Sequence, residues 1–365
     1  MSVTSVDQLA ATVLARTVEL AEIPAPTNDE ARRAARVSAW WREDGHDSVD
    51  IDAAGNVWAR LRDGDGPALL VCAHLDTVFG NDVDHRVRHQ RGRMIGPSVG
   101  DDSIGVAALS AIAGLLEPPG DAMPVWIAAT VGEEGLGNLC GVRSALADPP
   151  EPLAALIAVE GNYLGRVSTV AVGSVRWRVE MRGPGGHAWE ESSAPSAVHE
   201  AATLVHRLVS LTQGREGVSL NVGRISGGEA INARAQSAWF EVDLRADDPA
   251  ALRTLEAKCR ALLERAPGVE LRIEDLGNRP AGRMDPGHPL VVAATDALRG
   301  IGRQPRLAST STDANAALDA GLPAIAVGVT EGSGEHTPRE WIATAPVASG
   351  LRALAATVNS YGRRS

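Results

Sequence analysis

Four short apolar runs constrain the fold of this chain more than any other feature of its sequence. They are Pro67–Cys72, Pro124–Thr130, Leu153–Val159 and Leu322–Val329, and each is nearly continuous rather than alternating. This pattern is typical of strands whose sheet is covered by helices on both faces. Helical patterns lie between the runs, so the outer parts of the chain predict a layered α/β domain with a mixed, mostly parallel sheet.

The middle of the chain follows a different pattern. Alternating strand-like segments at Val175–Met181, Val218–Ile225 and Ala238–Leu244 are separated by amphipathic helical segments. A β-α-β-β-α-β order of this kind suits one antiparallel sheet covered by two helices. We therefore predict an α/β domain of residues 1–166 and 276–365, interrupted by an inserted α+β domain of residues 167–275.

Charge and residue usage narrow the function classes. The 365 residues carry a formal net charge of -11, whereas a phosphate-backbone binder needs a basic surface, so we expect no nucleic acid partner. Lys258 is the only lysine, and its charged helical context suits neither a P-loop nor a Schiff base. Three widely spaced cysteines and an N-terminus without a continuous apolar core predict a cytoplasmic protein without disulfides or a membrane partner.

Acidic residues and histidines occur where the predicted buried strands end. His74 follows the first run, Glu133 and Glu134 follow the second, Glu160 ends the third, and Asp101 precedes a predicted helix. In an open α/β sheet the carboxyl ends of the strands converge on one edge, where ligands bind. We therefore expect these side chains to share one cleft.

His336 follows the fourth apolar run and completes a set of two histidines and several carboxylates. Mixed nitrogen and oxygen ligands suit zinc or cobalt, and five ligands with spare carboxylate oxygens indicate two ions bridged by one carboxylate. Position alone leaves ordinary surface or structural roles open for each of these residues. The next residues, Thr337–Glu340, fit a capping box, so we predict that the last helix begins at Pro338.

Seven short motifs then occur in an order that is typical of one enzyme family. They are HLDT, GDDSIG, GEEG, AVEG, GGHA, GGEAINA…EVDLR and EHTPREW. From about Pro24 to Ile342 the chain resembles the di-zinc exopeptidases, which include glutamate carboxypeptidase, aminoacylase, acetylornithine deacetylase, succinyl-diaminopimelate desuccinylase and tripeptide aminopeptidase. The STDANAALDAGLPAIAVG stretch looks most like the tripeptidase-type branch.

The resemblance implies a metal ligand set. One ion would bind His74 and Glu160, the other would bind Glu134 and His336, and Asp101 would bridge the two ions. The implied cofactors are two divalent ions per chain, zinc by preference, with cobalt or manganese as substitutes. These residue types agree with the ligand preferences of zinc.

The resemblance also implies the catalytic groups of a zinc-dependent amide hydrolase. Glu133 matches the general base that takes a proton from a metal-bridging water, and Asp76 matches the carboxylate that orients His74. The family has a non-proline cis peptide bond after its bridging aspartate, so we expect one between Asp101 and Asp102.

Three residues of the inserted domain match substrate-contacting positions of the family. His187 and Asn232 match lid residues that contact the scissile carbonyl or the polar end of the substrate, often across a dimer interface. Arg245 matches an arginine that often clamps a substrate carboxylate, and an exposed strand-end arginine without that role is the alternative. Trp189 replaces a small residue of the family after His187. We expect a homodimer formed through the inserted domains.

The substrate is expected to be a peptide or an N-acyl amino acid, and two alternatives remain open for the end of it that the enzyme recognises. Arg245 and the Gly332–Gly334 segment offer donors for a free carboxylate on the leaving side of the amide, which we favour. The tripeptidase-like stretch instead favours a di- or tripeptide aminopeptidase.

Two rival interpretations belong to other classes. Gly96–Gly100 fits a nucleophile elbow around Ser98, with Asp313 and His336 in the order of a serine hydrolase, but the charged segment before it does not suit a buried strand. A non-catalytic binding protein on the same fold is the second rival, and it is expected to have lost at least one ligand or the base.

Overall fold

The chain folds into two compact units. The computed structural model describes residues 5–46, 48–118, 122–265 and 268–363. The first unit, here the major unit, runs to Ala171 and resumes at Arg283, and the second, the inserted unit, is Val172–Gly282. In those four ranges, no helix has both the length and the apolar character needed to span a bilayer.

Helices and strands alternate through most of the chain. The helices are α1 (Val6–Ala21), α2 (Ala31–Glu43), α3 (Ile104–Ala111), α4 (Cys140–Ala147), α5 (Ala197–Ser210), α6 (Pro249–Leu263), α7 (Pro289–Gly300), α8 (Ala314–Asp319) and α9 (Val347–Gly362). The strands are β1 (Asp50–Ile51), β2 (Val57–Arg62), β3 (Ala68–His74), β4 (Arg88–Gln90), β5 (Arg93–Ile95), β6 (Val125–Thr130), β7 (Leu153–Val159), β8 (Arg166–Ala171), β9 (Gly173–Arg182), β10 (Val218–Gly227), β11 (Ser237–Ala246), β12 (Glu270–Arg279), β13 (Gly282–Arg283), β14 (Arg306–Thr310), β15 (Ala324–Val327), β16 (Gly332–Ser333) and β17 (Trp341–Ala343).

The large sheet of the major unit has the strand order β1-β2-β6-β3-β7-β15-β8-β13, with β14 beside β8. Its inner strands β6, β3, β7 and β15 are parallel, whereas β2 and β8 join them antiparallel. Strand β3 is buried throughout because Leu69 and Val71 pack into one apolar core while Leu70 and Cys72 pack into another. The prediction of a mixed, mostly parallel sheet flanked by helices is confirmed.

The inserted unit contains a four-stranded antiparallel sheet in the order β10-β11-β9-β12. Burial alternates along β9 and β11, since one face packs against α5 and α6 around Trp177 and Phe240. The other face carries ion pairs, such as Arg178 with Glu241. The predicted inserted sheet with two helices is therefore also confirmed.

The predicted helix start at Pro338 is wrong. The last helix, α9, begins at Val347, and the chain before it forms β17, which pairs with β5. The carboxylate of Glu340 does not cap a helix, because it is fully buried and its Oε1 accepts hydrogen bonds from the backbone N–H groups of Gly100 and Asp101.

Candidate metal centre

The carboxyl ends of the parallel strands bring the predicted ligands together. His74 is the last residue of β3, and Glu160 directly follows β7. The loop after β6 carries Glu133 and Glu134, and the loop after β15 leads to His336. Because these strands are neighbours in the sheet, their ends open on the same edge.

The five predicted ligands form two overlapping groups. His74, Asp101 and Glu160 form one group and Asp101, Glu134 and His336 form the other, with ligand atoms in each group within 4.8 Å of one another. The Oδ1 atom of Asp101 lies 2.9 Å from His74 Nε2, and its Oδ2 atom lies 3.1 Å from His336 Nε2. The two carboxylate oxygens of Asp101 thus face different histidines, as a bridging ligand requires.

Glu133 lies beside this cluster in a loop that Asp76 organises. Glu133 forms a further close group with His74 and Glu134. The buried Asp76 carboxylate accepts hydrogen bonds from the N–H groups of Glu133, at 2.9 Å, and Glu134, at 2.8 Å, and from the Thr27 hydroxyl. His74 Nδ1 lies 3.0 Å from the Asp76 carbonyl oxygen and 3.5 Å from its carboxylate. Asp76 therefore contacts both the histidine and the Glu-Glu turn.

The loop that presents Asp101 is held from both sides. The Asp101–Asp102 peptide bond is cis, which confirms that prediction. Asp102 is fully buried and accepts hydrogen bonds from the N–H groups of His74, at 3.2 Å, and Gly161, at 2.9 Å. On the other side, Glu340 Oε1 accepts hydrogen bonds from the N–H groups of Gly100 and Asp101, each over 2.7 Å. The backbone around three ligands is thus tied together by two carboxylates that sequence reasoning missed.

A buried arginine beneath the site was also missed. Arg33 is fully buried in α2 and donates to the Ile23 and Leu75 carbonyl groups and to the Ser98 hydroxyl. Burial lowers its pKa to about 10, although Asp76 opposes this shift. Its position gives a usable signal, because Arg33 lies on the apolar stripe of α2, where an arginine needs buried acceptors.

Another missed pair lies under the Glu133 loop. Thr130, the last residue of β6, donates its hydroxyl proton to Asp313 over 2.6 Å. Both side chains are buried. Asp313 belongs to the STDAN stretch, so this motif supports the strand end that precedes the Glu-Glu turn.

The electrostatics of the site suit a bound positive charge. Burial, together with nearby carboxylates, raises the pKa of Glu160 well above its ordinary value. Hydrogen bonds to Asp101 raise the pKa of His74 against the opposing effect of burial. Hydrogen bonds to Asp101 and Glu134 raise the pKa of His336 to about 10. Divalent cations bound here would compensate the clustered carboxylates, so the donor set fits two metal ions.

The inserted unit places His187 and Asn232 side by side on its surface. His187 forms an isolated β-bridge with Ala233, and the Ala188 N–H donates to the Asn232 carbonyl oxygen. Both His187 and Asn232 are exposed. The Trp189 N–H lies 3.4 Å from His187 Nδ1, and the indole itself is 85% exposed.

Arg245 lies on the polar face of the inserted sheet, in β11. Its Nε donates to the carboxylate of Asp243 over 2.8 Å, and its side chain is 41% exposed. Among the described residues, the Nη groups of Arg245 have no acceptor within hydrogen-bond distance. The Gly332–Gly334 segment was expected to offer N–H donors to a substrate carboxylate. Its first two residues form β16, and part of their backbone is used in the antiparallel pairing with β17.

Ser98 does not have the surroundings of a nucleophile. The residue is fully buried, and its hydroxyl accepts a hydrogen bond from Arg33 and lies 3.4 Å from the Ser103 hydroxyl. The preceding strand β5 has three residues and belongs to a small antiparallel sheet. A nucleophile elbow instead presents its serine at the top of a buried strand.

Comparisons with known proteins agree with this geometry. Residues 70–360 match the profile of Peptidase family M20/M25/M40. No curated protein sequence matches the chain significantly. Among solved structures, a tripeptidase from Staphylococcus aureus is 20% identical with a TM-score of 0.81, covering 97% of this chain and 99% of that one. Aminopeptidase PepT from Bacillus cereus is 20% identical, with a TM-score of 0.79 and coverage of 96% and 98%.

A third solved structure adds a metal-binding relative of the same fold. It is a dinuclear metal-binding peptidase from Bacillus subtilis, 15% identical with a TM-score of 0.69, covering 97% of this chain and 98% of that one. At these identities the structural similarity establishes the fold. The family profile spans most of the chain and shows that the chain belongs to peptidase family M20/M25/M40. Together with the clustered ligand residues, it supports metal-dependent amide hydrolysis.

Proposed function

We propose that this chain is a zinc-dependent hydrolase that cleaves the amide bond of a peptide or N-acyl amino acid, with Glu133 as general base. One observation carries the proposal: Asp101 is shared by two ligand groups, and Glu133 lies within 4.8 Å of the ligand atoms of His74 and Glu134. A non-catalytic relative has no need for a carboxylate in the position of Glu133 beside a complete ligand set.

The residues of the major unit divide the chemistry between them. Two divalent ions held by His74, Glu160, Glu134, His336 and the shared Asp101 would polarise the amide carbonyl and acidify a water molecule. Glu133 takes the proton of the attacking water and delivers it to the leaving nitrogen. Asp76 fixes this base, since it accepts hydrogen bonds from the N–H groups of Glu133 and Glu134.

His187 and Asn232 are proposed to contact the substrate from the inserted unit. The Trp189 N–H faces His187 Nδ1, which favours the tautomer with a proton on Nε2. A neutral Nε2–H is a suitable donor for the negative charge that develops on the amide oxygen. His187 would act by closure of the inserted unit or from the partner chain of a homodimer.

We favour a substrate with a free α-carboxylate on its leaving side. The Nη groups of Arg245 remain available to a carboxylate while its Nε binds Asp243. The alternative is an aminopeptidase that acts on di- or tripeptides. It is supported by the tripeptidase-like STDAN stretch and by the shared fold with the Staphylococcus aureus tripeptidase.

Paired substrate sets distinguish the two alternatives. The metal-loaded protein is assayed with N-acetylated amino acids and with C-terminally amidated peptides that have free amines, with zinc, cobalt or manganese added. We expect hydrolysis of the N-acetylated set, loss of activity with a chelator, and a raised KM in Arg245→Ala but not in the exposed control Arg182→Ala. Hydrolysis of the amidated set alone would establish the aminopeptidase alternative, and no hydrolysis of either set would reject the enzyme proposal.

The proposal includes a cytoplasmic homodimer formed through the inserted unit. Strand β10 lies at the edge of the inserted sheet, is largely exposed and carries Ile225 with 56% exposure. An exposed edge strand is readily covered by pairing with another chain. Light scattering at micromolar concentration is expected to give the mass of a dimer, and Ile225→Lys is expected to weaken it. A fully active monomer would contradict the dimer.

A further inference from the structure

An arginine-rich cavity lies in the major unit, outside the two ligand groups. Its volume is about 340 Å³, and its walls include Arg166, Arg303, Arg306 and Asn162. Among the residues that the structure describes, Glu331 is the one carboxylate in its walls, and it forms an ion pair with Arg303. The lining therefore carries a surplus of positive charge in a chain whose net charge is -11.

Two of the arginines lie side by side on adjacent strands. Arg166 begins β8, Arg306 begins β14, and the two residues are direct partners in the parallel pairing of these strands. Within the described ranges, neither guanidinium has a carboxylate at ion-pair distance, although the Arg166 guanidinium lies over the Tyr163 ring, 4.8 Å from its centroid. Like charges placed directly opposite each other in a sheet destabilise it. A bound anion would remove this cost.

The local backbone keeps the two arginines in register. Gly165 has a φ of 93°, a left-handed conformation that favours glycine, and its carbonyl oxygen accepts the N–H of Arg306. Gly165 thus contacts the first residue of both strands, by a peptide bond to Arg166 and by a hydrogen bond from Arg306. The arginine pair is a consequence of strand register, not of two flexible side chains that happen to meet.

We infer that this cavity binds a small oxyanion, a carboxylate or phosphate group of a metabolite-sized ligand, between Arg166 and Arg306. Guanidinium groups bind the two oxygen atoms of such groups in a fixed, planar geometry. The volume suits a small organic anion rather than a macromolecule. The inference is independent of the proposed hydrolysis, because it concerns binding outside the metal ligands.

Binding of inorganic phosphate and of succinate tests the inference. Calorimetric titration is carried out on the full chain with and without added zinc, so that binding at the metal centre is recognised by its dependence on zinc. The variants are Arg306→Gln and Arg166→Gln, and the control is Arg253→Gln, an exposed arginine of α6 with the same change in charge. Melting temperatures are recorded in chloride and in phosphate at equal ionic strength.

We expect one zinc-independent anion per chain in the wild type and in Arg253→Gln, bound at least about tenfold more weakly by either cavity variant. In chloride, Arg306→Gln should melt no lower than the wild type, because it removes a repulsion. Stronger binding of phosphate would identify a phosphate ester as ligand class, and stronger binding of succinate a carboxylate. Equal affinity of Arg306→Gln and wild type, or no binding of either anion to the wild type, would overturn the inference.

Discussion

The two units hold their predicted functional residues in opposite ways. In the major unit, Asp101, Glu134 and Glu160 are held among buried partners, and backbone N–H groups of that region donate to Asp76, Asp102 and Glu340. In the inserted unit, His187, Asn232 and Trp189 lie on exposed loops, and the bonds that hold them are mostly backbone bridges between those loops.

This difference suggests that the major unit holds the metal ions and that the inserted unit contacts the substrate. Buried carboxylates keep their positions when backbone donors and packing surround them, as metal ligands require. Exposed loop residues can adapt to a substrate, because few contacts restrict them. We therefore expect substitutions in the two units to separate metal retention from turnover.

The largest effect is expected within the major unit, at the adjacent glutamates. Glu133→Gln keeps the shape of the side chain but removes the proposed base, so turnover should fall by about 10²–10⁴-fold while metal content is retained. Glu134→Gln should lose metal as well, because it removes a proposed charged ligand. Elemental analysis and rate measurements on both variants check this. Equal metal loss in the two variants would contradict the roles assigned to them.

The next effect tests the exposed unit. His187→Ala should lower kcat by about 10²–10³-fold through loss of a donor to the amide oxygen. Metal content and melting temperature should stay at wild-type values, because His187 is exposed. Metal analysis, calorimetry and kinetics on Trp189→Ala serve as the control for a general disturbance of the loop. A large loss of bound metal in His187→Ala would remove the contrast between the units.

A smaller effect is expected at Glu340, whose carboxylate accepts hydrogen bonds from the loop backbone at Gly100 and Asp101. Glu340→Leu removes the acceptor for the Gly100 and Asp101 N–H groups, so zinc affinity should fall by about 10–100-fold. Glu340→Gln keeps an oxygen in the same place and should bind zinc nearly as well as the wild type. Competitive titration with a zinc indicator measures both. Identical affinities in the leucine variant and the wild type would show that the loop does not need this support.

The last effect, the smallest when taken over a single pH unit, concerns pH. Hydrogen bonds to Asp101 and Glu134 raise the pKa of His336 from 6.5 to about 10 in the metal-free protein. The stability that this group contributes is fully present below pH 6.5 and is lost as the pH rises towards 10. Zinc must displace this proton, so its apparent affinity should rise about tenfold per pH unit for each proton released.

Calorimetry in two buffers of different ionisation enthalpy counts the protons released. On binding zinc, the His336→Ala variant should release at least one proton fewer than the wild type. Zinc affinity that is constant between pH 6.5 and 9 would show that His336 is already unprotonated before zinc binds.

Local sequence patterns predicted the central strands and the residues at their ends. Continuous apolar runs indicate strands buried on both faces, and β3 and β6 are buried along their whole length. The ligand candidates His74 and Glu160 could be named because they occur where such runs stop. These inferences depend on neighbours in the sequence, so no knowledge of packing is needed.

The sequence by itself determined which side chains could form the metal centre, and the tertiary structure decided what supports them. Glu340 binds the backbone of Gly100 across 240 residues, and Arg33 reaches Ser98 across 65. The capping-box pattern even predicted a local partner for Glu340, which proved wrong. A buried polar group must find a hydrogen-bond partner wherever packing places one, and that choice is made by the folded chain rather than by spacing along it.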